Sequence, residues 1–249
     1  MKRTLMIVVL VLFVVTAASA QQNPKAEGPG KNAAASIATV DEIIKRYVQA
    51  VGGKAAVEKL TTRMIKGSVV TPSGSAPLEI YEKAPNKFLV IIDSPAGGLS
   101  RNGFNGTVAW SQNRQRGLRE MSGPEVENFK REYDLHREVR ITEHYPKMTV
   151  KSREKIGDID AYVVDAVTSD GIPEVLYFDV DTGLLRRRDV TVQGTTIQAY
   201  FEDYREVDGV KLPFTIRRTR GEFTFTNKFD EVKHNVTIED ARFDKPATP

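Results

Sequence analysis

Carboxylates crowd into one short stretch of the chain, "YFEDYREVDGVKLPFTIR", which runs from Tyr200 to Arg217. A pair among Glu202, Asp203 and Glu206 could supply the general acid and base of an active site. The same stretch contains Asp208-Gly209 between two strand-like runs. This dipeptide is typical of two-residue hairpin turns, because both turn positions need φ > 0. The carboxylates therefore have to be interpreted on a predicted hairpin.

The hairpin favours a structural role for these carboxylates. With Val207 facing Val210, Glu206 lies opposite Lys211, an ordinary cross-strand pair of opposite charge on a solvated face. Alternation places Tyr200, Glu202 and Tyr204 on that same outer face. Asp203 and Arg205 interrupt the apolar inner face, and their opposite charges can compensate each other. The inner face is predicted to carry Phe201, Asp203, Arg205, Val207, Val210, Leu212, Phe214 and Ile216.

Other catalytic or metal-binding groups are sparse. The chain has no cysteine, so it has no thiol nucleophile and no CxxC metal site. Its three histidines, His136, His144 and His234, lack i,i+4 spacing and an HExxH pattern, so we expect surface or capping roles for them. No GxSxG motif occurs. The sequence therefore predicts a protein that is not an enzyme and that holds neither a metal nor a cofactor.

Residues 1–20 have the three parts of a secretory signal peptide. Lys2 and Arg3 precede an apolar run from Leu5 to Val15, and Ala18-Ser19-Ala20 is a small-x-small cleavage pattern. A single membrane anchor is the alternative, but the run is shorter than the ~20 apolar residues that a spanning helix needs. We expect cleavage after Ala20 and export to the periplasm.

The mature chain would be nearly neutral and free of disulfides. Removal of the signal peptide lowers the formal net charge from +3 to about +1, which does not indicate a nucleic-acid partner. Residues 21–36 are polar and rich in Pro, Gly and Ala, as in a flexible linker. Residues 37–249 then form a single predicted domain, which we expect to be monomeric.

Helix signals appear twice in this domain. Thr39 and Glu42 match a capping box ahead of an apolar stripe, and Lys54 to Leu60 suits a further turn or two of helix. A later helix is predicted from Pro124 to about Arg137, with Val126, Phe129 and Tyr133 on one face. About a dozen strands joined mostly by hairpins surround it. The predicted fold is mainly β with helices (α+β), built on a large antiparallel sheet.

The strands carry more apolar side chains than two short helices can cover. In "KFLVIID", for example, Phe88, Val90 and Ile92 share one face. Periodicity alone favours a plain, filled core. A curved sheet wrapped around the helices is the alternative, and it would leave an apolar cavity suited to an acyl chain.

Two segments resemble the early strands of the LolA/LolB lipoprotein-carrier superfamily: "LEIYEKAPNKFLVIID" and "GLSRNGFNGTVAWSQN". The later "YFDVDTGLLRRRD", "YFEDYREVDGVKLPFTIR" and "DARFDKP" are similar to its later strands and C-terminal segment. The likeness is greatest to exported members known as outer-membrane lipoprotein-sorting proteins. Matching positions of the early strands are Lys83, Pro85, Asn86, Phe88, Asn105, Gly106, Thr107 and Trp110.

The resemblance implies an open half-barrel of about eleven strands, whose concave face is covered by helices and whose cavity accepts acyl chains. It implies a periplasmic carrier of lipid or of acylated lipoproteins. The alternative that it implies is an RseB-like envelope sensor that binds lipid and an envelope protein partner. The true lipoprotein carrier has an Arg before the matched Pro, where it helps to latch the helical lid, and here that residue is Ala84.

We assign the wall of such a cavity to inward-facing side chains of the strands and of the second helix. Trp110, beside the Asn105-Gly106 turn, is either part of this wall or simply part of the core. The helix from Pro124 would act as the lid. The predicted ligand-binding residues are Phe88, Val90, Ile92, Trp110, Phe129, Tyr133, Val164, Phe178, Leu212, Phe214 and Ile216.

Overall fold

The structure is a computed structural model that describes residues 38–95, 97–192 and 194–247. The predicted signal peptide (1–20) and linker (21–36) lie outside the described residues. The helices are α1 (Val40–Ala50), α2 (Lys54–Glu58), α3 (Pro124–Glu132) and α4 (Ile141–His144), followed near the C-terminus by a 3-10 turn (Asp240–Phe243). The strands are β1 (Thr62–Thr71), β2 (Gly74–Lys83), β3 (Lys87–Ser94), β4 (Gly98–Phe104), β5 (Ala109–Asn113), β6 (Gly117–Glu120), β7 (Lys147–Ile156), β8 (Ile159–Val167), β9 (Pro173–Asp179), β10 (Leu185–Val192), β11 (Thr195–Val207), β12 (Val210–Arg220) and β13 (Phe223–His234).

These thirteen strands form one antiparallel sheet in the order β6-β5-β4-β3-β2-β1-β13-β12-β11-β10-β9-β8-β7. Neighbours in the sheet are neighbours in the chain, except that β1 pairs with β13 and joins the two halves. The edge strands β6 and β7 do not pair with each other, so the sheet stays open. The prediction of a mainly β, open antiparallel fold with helices is confirmed, with thirteen strands instead of about eleven. Strand β6 and helix α4 were not predicted.

The hairpin between β11 and β12 has the predicted register. Val207 pairs with Val210 and Glu206 with Lys211. The turn residues Asp208 and Gly209 have φ values of 51° and 80°, which is the conformation that a tight hairpin turn of this kind requires. A local sequence signal therefore fixed the pairing of two long strands.

The predicted face alternation in β11 fails at Asp203. Its φ is 52°, and the pairing passes over it, because Glu202 pairs with Thr215 and Tyr204 with Pro213. Beyond this residue Tyr204 lies on the cavity wall on the concave side, so its predicted place on the outer face is wrong. Asp203 forms an ion pair of 2.6 Å with Arg205 in solvent, with about half of each side chain exposed. These two charges therefore do not interrupt the buried face.

Helix α1 begins as its capping box predicts. The Thr39 hydroxyl accepts a hydrogen bond from the Glu42 backbone N–H, and the Glu42 carboxylate accepts one from the Thr39 N–H at 2.8 Å. The apolar stripe of the helix then packs Ile43, Ile44 and Tyr47 on strands β8 to β10. This packing covers one half of the concave face.

Helix α3 covers the other half. It begins at Pro124 as predicted and ends at Glu132, before the predicted Arg137. The Phe129 and Tyr133 rings stack on Phe88, with centroid distances of 5.7 and 5.3 Å. Val126 packs in the same cluster. The predicted inward face of this helix is therefore confirmed.

The convex face of strands β2 to β5 is covered by the C-terminal segment. Trp110 is 1% exposed, and its indole N–H donates a hydrogen bond of 3.0 Å to the Phe243 carbonyl. In the sheet register Trp110 lies opposite Gly103, which in turn lies opposite Leu89. Because directly paired residues share a face, Trp110 is on the opposite side of the sheet from Phe88.

Candidate functional site

A cavity of about 100 Å³ lies between the concave face of the sheet and helices α1, α3 and α4. It is centred where the two halves of the sheet meet, at β1, β13 and β12. The sheet supplies most of the apolar side chains of this cavity and also the charged Glu82, Arg188, Lys211 and Arg218, and further polar side chains come from the helices and from the segment between α3 and α4. The wall consists of Tyr47, Val51, Ile65, Ile80, Glu82, Arg131, Glu132, Tyr133, Arg137, Glu138, Ile141, His144, Tyr145, Leu185, Arg188, Phe201, Tyr204, Lys211, Pro213, Ile216, Arg218, Asn227 and Phe229.

Two of the eleven predicted ligand-binding residues, Tyr133 and Ile216, lie on this wall. Trp110 lies away from this wall, buried under Phe243 on the convex face. The other eight belong to the hydrophobic clusters of the fold, in which Ile92 and Phe129 are only partly buried. Phe88, Val90, Ile92, Phe129 and Phe214 pack in one cluster, Val164 and Phe178 in a second, and Leu212 in a third.

The polar part of the wall is the feature that sequence reasoning missed. We expected an apolar cavity, but the structure places carboxylates and guanidinium groups against it. The sequence holds a signal for one of them: Leu78, Ile80 and Glu82 alternate on the inward face of β2. A charge at an inward position of an apolar face indicates a buried ion pair.

Glu82 is the centre of the first polar group. It accepts a hydrogen bond of 2.9 Å from Arg63, whose Nε also donates to His234 at 3.1 Å. Burial raises the pKa of Glu82 against the opposing effect of Arg63. Burial, helped by Arg63, lowers the pKa of His234, and its side chain is fully enclosed. The expectation of a surface or capping role is therefore wrong for His234.

Glu132, at the end of α3, is the centre of the second group. It forms ion pairs with Arg188 of β10 and with Arg218 of β12, the latter at 3.5 Å. Burial disfavours the charged carboxylate, but the two guanidinium groups outweigh it and lower the pKa of Glu132 to about 2. These pairs hold the end of the helix against the sheet.

Arg131 and Glu174 extend the second group toward the edge of the sheet. Arg131 pairs with Asp170 at 3.0 Å and with Glu174 at 3.5 Å. The Tyr145 hydroxyl donates to Glu174 at 2.8 Å, and Arg188 lies 3.6 Å from the same carboxylate. Burial raises the pKa of Tyr145, so this hydroxyl stays a neutral donor. The charges of this group are therefore compensated within the protein.

Arg137 and Glu138 form the third group, in the segment between α3 and α4. Arg137 Nε donates to Glu138 Oε1 at 3.0 Å, and its Nη1 donates to the Glu132 carbonyl at 2.5 Å. Glu138 Oε2 is buried and has no hydrogen-bond partner among the described residues. This wall oxygen is thus left without a donor from the described residues, whereas Glu132 Oε1, which also lacks a hydrogen bond there, forms an ion pair with Arg188.

The histidines of the segment from α3 to α4 are held by hydrogen bonds within the protein. The His136 ring bonds the Leu60 carbonyl and the His144 ring bonds the Asp134 carboxylate. Within the described ranges, no group of three or more His, Cys, Asp or Glu residues could hold a metal ion. The helices in this part of the chain are also too short or too polar to cross a membrane. The cavity offers an apolar surface together with hydrogen-bonding groups.

The fold has known counterparts, although no family model and no curated protein matches the sequence. The structure is similar to a DUF1329 family protein from Desulfovibrio piger, at 15% identity over 82% of this chain and 97% of that chain, with a TM-score of 0.58. A LolA superfamily protein from Nitrosomonas europaea is 12% identical over 84% and 99% of the two chains, with a TM-score of 0.59. A domain described as an outer membrane lipoprotein-sorting protein, from Vibrio parahaemolyticus, is 15% identical over 81% and 96%, with a TM-score of 0.55. The protein therefore has the LolA-type fold, an open antiparallel sheet with helices on its concave face.

Proposed function

We propose that the protein is a binding protein that carries a lipid or an acyl chain in the cavity between sheet and helices. The observation that carries this proposal is the cavity itself, with Ile65, Ile80 and Ile216 on its sheet side. An apolar enclosure with a few convergent polar groups is the usual form of a ligand site. The LolA-type fold supports the same role, as does the similarity to the Vibrio domain described as an outer membrane lipoprotein-sorting protein.

We place this carrier in the cell envelope. The signal-like residues 1–20 support export, and the mature protein is expected to begin at Gln21. N-terminal sequencing of exported material tests this, and a membrane-bound form that keeps Lys2 would contradict it. The sensor role, with an envelope protein partner, stays a prediction.

Loading a long chain requires helix α3 to move. The cavity of about 100 Å³ is smaller than the roughly 300–1,000 Å³ of typical ligand pockets. The stacking of Phe129 and Tyr133 on Phe88 is apolar and can be replaced by contacts with an acyl chain. In this proposal the rings of Phe129 and Tyr133 cover the concave face until a ligand arrives, and they move away from Phe88 to admit it.

The proposal is tested by direct detection of the ligand and by a cavity-filling variant. Lipid extracted from the purified protein is identified by mass spectrometry, and affinity is measured with a fluorescent fatty acid. Ile216→Phe adds volume to the cavity wall, so we expect affinity to fall at least about tenfold. Val192→Phe, at a position that is 45% exposed, is the matched control and should bind as wild type. A folded Ile216→Phe protein with unchanged affinity would exclude this cavity as the site.

A further inference from the structure

We propose that the cavity selects a neutral amphiphile whose polar group donates a hydrogen bond to Glu138, as the hydroxyl of a monoacylglycerol does. This inference rests on the proposed function and specifies the ligand of the same cavity. It follows from one unpaired oxygen, from the charge balance of the wall and from the position of the apolar surface.

The unpaired oxygen is Oε2 of Glu138. The side chain of Glu138 is 4% exposed, and its other oxygen accepts the hydrogen bond from Arg137. No donor in the described part of the chain reaches Oε2. A buried carboxylate oxygen without a donor is costly, so such groups are normally paired with the protein, with water or with a ligand. Because Glu138 lines the cavity, a molecule in the cavity can supply the missing donor.

The buried charges around the cavity compensate one another, although Arg131 Nε and Arg188 Nε have no hydrogen-bond acceptor among the described residues, and the remaining lysine of the wall, Lys211, is exposed to solvent. Arg63 and Arg137 compensate Glu82 and Glu138 at one end. At the other end, three guanidinium groups face three carboxylates. An anionic head group would meet the free carboxylate oxygen, and a cationic one would meet guanidinium groups that are already in place. The three guanidinium groups at this other end are those of Arg131, Arg188 and Arg218, and the three carboxylates are those of Asp170, Glu132 and Glu174.

The remaining wall fits the rest of such a ligand. Tyr47 and Tyr133 contribute hydroxyl groups, and burial raises the pKa of Tyr133 to about 12, so its hydroxyl stays neutral. Burial likewise raises the pKa of Tyr47. Ile80 and Phe229 supply apolar surface to the same cavity. The hydroxyls of such a head group can hydrogen-bond the polar side chains of the wall, and its single acyl chain can cover the apolar surface.

The wild-type protein provides the first test. Monoolein, oleate and oleylamine have the same chain length and differ in the charge of the head group. Each is used to displace a neutral fluorescent acyl probe, at a pH where oleate is ionised and oleylamine is protonated. We expect monoolein to bind at least about tenfold more tightly than either ion, because only its hydroxyls donate to Oε2 without adding charge.

The second test changes Glu138 itself. In Glu138→Gln the wall loses one negative charge, and Arg137 loses its ionic partner. We expect monoolein to bind more weakly and oleate more tightly, so that the ratio of the two affinities falls about tenfold or more. Glu143→Gln makes the same change on a side chain that is 61% exposed, and it should leave the ratio unchanged. Thermal unfolding is recorded for both variants.

The outcomes separate this inference from the proposed function. If oleate binds the wild type as tightly as monoolein, the carrier role stands and the inference is wrong. If a folded Glu138→Gln variant keeps the wild-type ratio, water and not ligand pairs with Oε2, and the inference is again wrong. If none of the three amphiphiles binds the wild type, both the proposed function and this inference are overturned. A Glu138→Gln variant that fails to fold leaves the wild-type comparison as the deciding result.

Discussion

Arg63 and Glu82 lie directly opposite each other on β1 and β2, joined by a hydrogen bond of 2.9 Å, with their side chains 1% and 2% exposed. They interrupt a concave face that is otherwise apolar along both strands. Taking two charges out of water has a large cost, which is offset only while the pair stays intact. The pair is therefore important for the stability of the sheet beside the cavity.

Glu82→Ala is expected to lower the free energy of unfolding by about 3–5 kcal/mol, because it leaves the Arg63 guanidinium buried without its partner. Arg63→Met combined with Glu82→Leu removes both charges and should cost much less. Urea unfolding of the single and double variants measures the difference. A single variant as stable as wild type would show that Arg63 finds another partner.

Phe129→Ala is expected to loosen helix α3 over the sheet. The side chain is half-buried and stacks on Phe88. We therefore expect the free energy of unfolding to fall by about 2–3 kcal/mol, less than the roughly 3–5 kcal/mol lost when a fully buried Phe is replaced by Ala. Bound fluorescent fatty acid should also dissociate faster, which stopped-flow measurement can follow. Glu127→Ala, on the exposed side of the same helix, should change stability by less than about 0.5 kcal/mol. Equal dissociation rates in wild type and Phe129→Ala would contradict a covering role for α3.

Gly103→Ala tests the packing of Trp110 on the convex face. A Cβ at Gly103 would lie 2.6 Å from the indole ring, so the ring or the strand must shift. We expect a destabilisation of about 1–3 kcal/mol and a changed emission spectrum of Trp110, the single tryptophan of the chain. Gly97→Ala is the control, because the nearest atom to its Cβ would be 3.5 Å away. An unchanged stability of Gly103→Ala would show that the indole yields freely.

The ion pairs of Glu132 predict acid sensitivity. Its pKa is lowered from 4.5 to about 2 in the folded protein, so its stabilising contribution is complete above about pH 4.5 and is lost as the pH falls toward 2. The full effect is on the order of 3 kcal/mol. Glu132→Gln should be less stable at neutral pH and should show a shallower loss of stability between pH 4.5 and 2. Urea unfolding at several pH values, with Glu58→Gln as an exposed control, checks this; identical pH profiles for wild type and Glu132→Gln would oppose it.

Much of the fold could be predicted, because its signals act over a few residues. The Asp208-Gly209 turn fixes the β11–β12 register, and the Thr39–Glu42 capping box fixes the start of α1. Alternation and helical spacing correctly identified the strand faces around Phe88 and the inward face of α3. In each case the φ requirement or hydrogen bond that decides the structure lies within the quoted residues. The site was less predictable, with two of its eleven predicted residues on the cavity wall.

The sequence by itself thus determined the antiparallel sheet, most of its hairpins and the starts of helices α1 and α3, since periodicity and turn chemistry are local. The tertiary structure decided which face of the sheet is covered by each helix and by the C-terminal segment. Trp110 lies under Phe243, 133 positions later in the chain, and Glu132 pairs with Arg218, 86 positions later. Partners so far apart leave no trace in local spacing, because they are brought together only by the sheet topology, in which β1 pairs with β13. The charged wall of the cavity, and Glu138 with its free oxygen, depend on that topology.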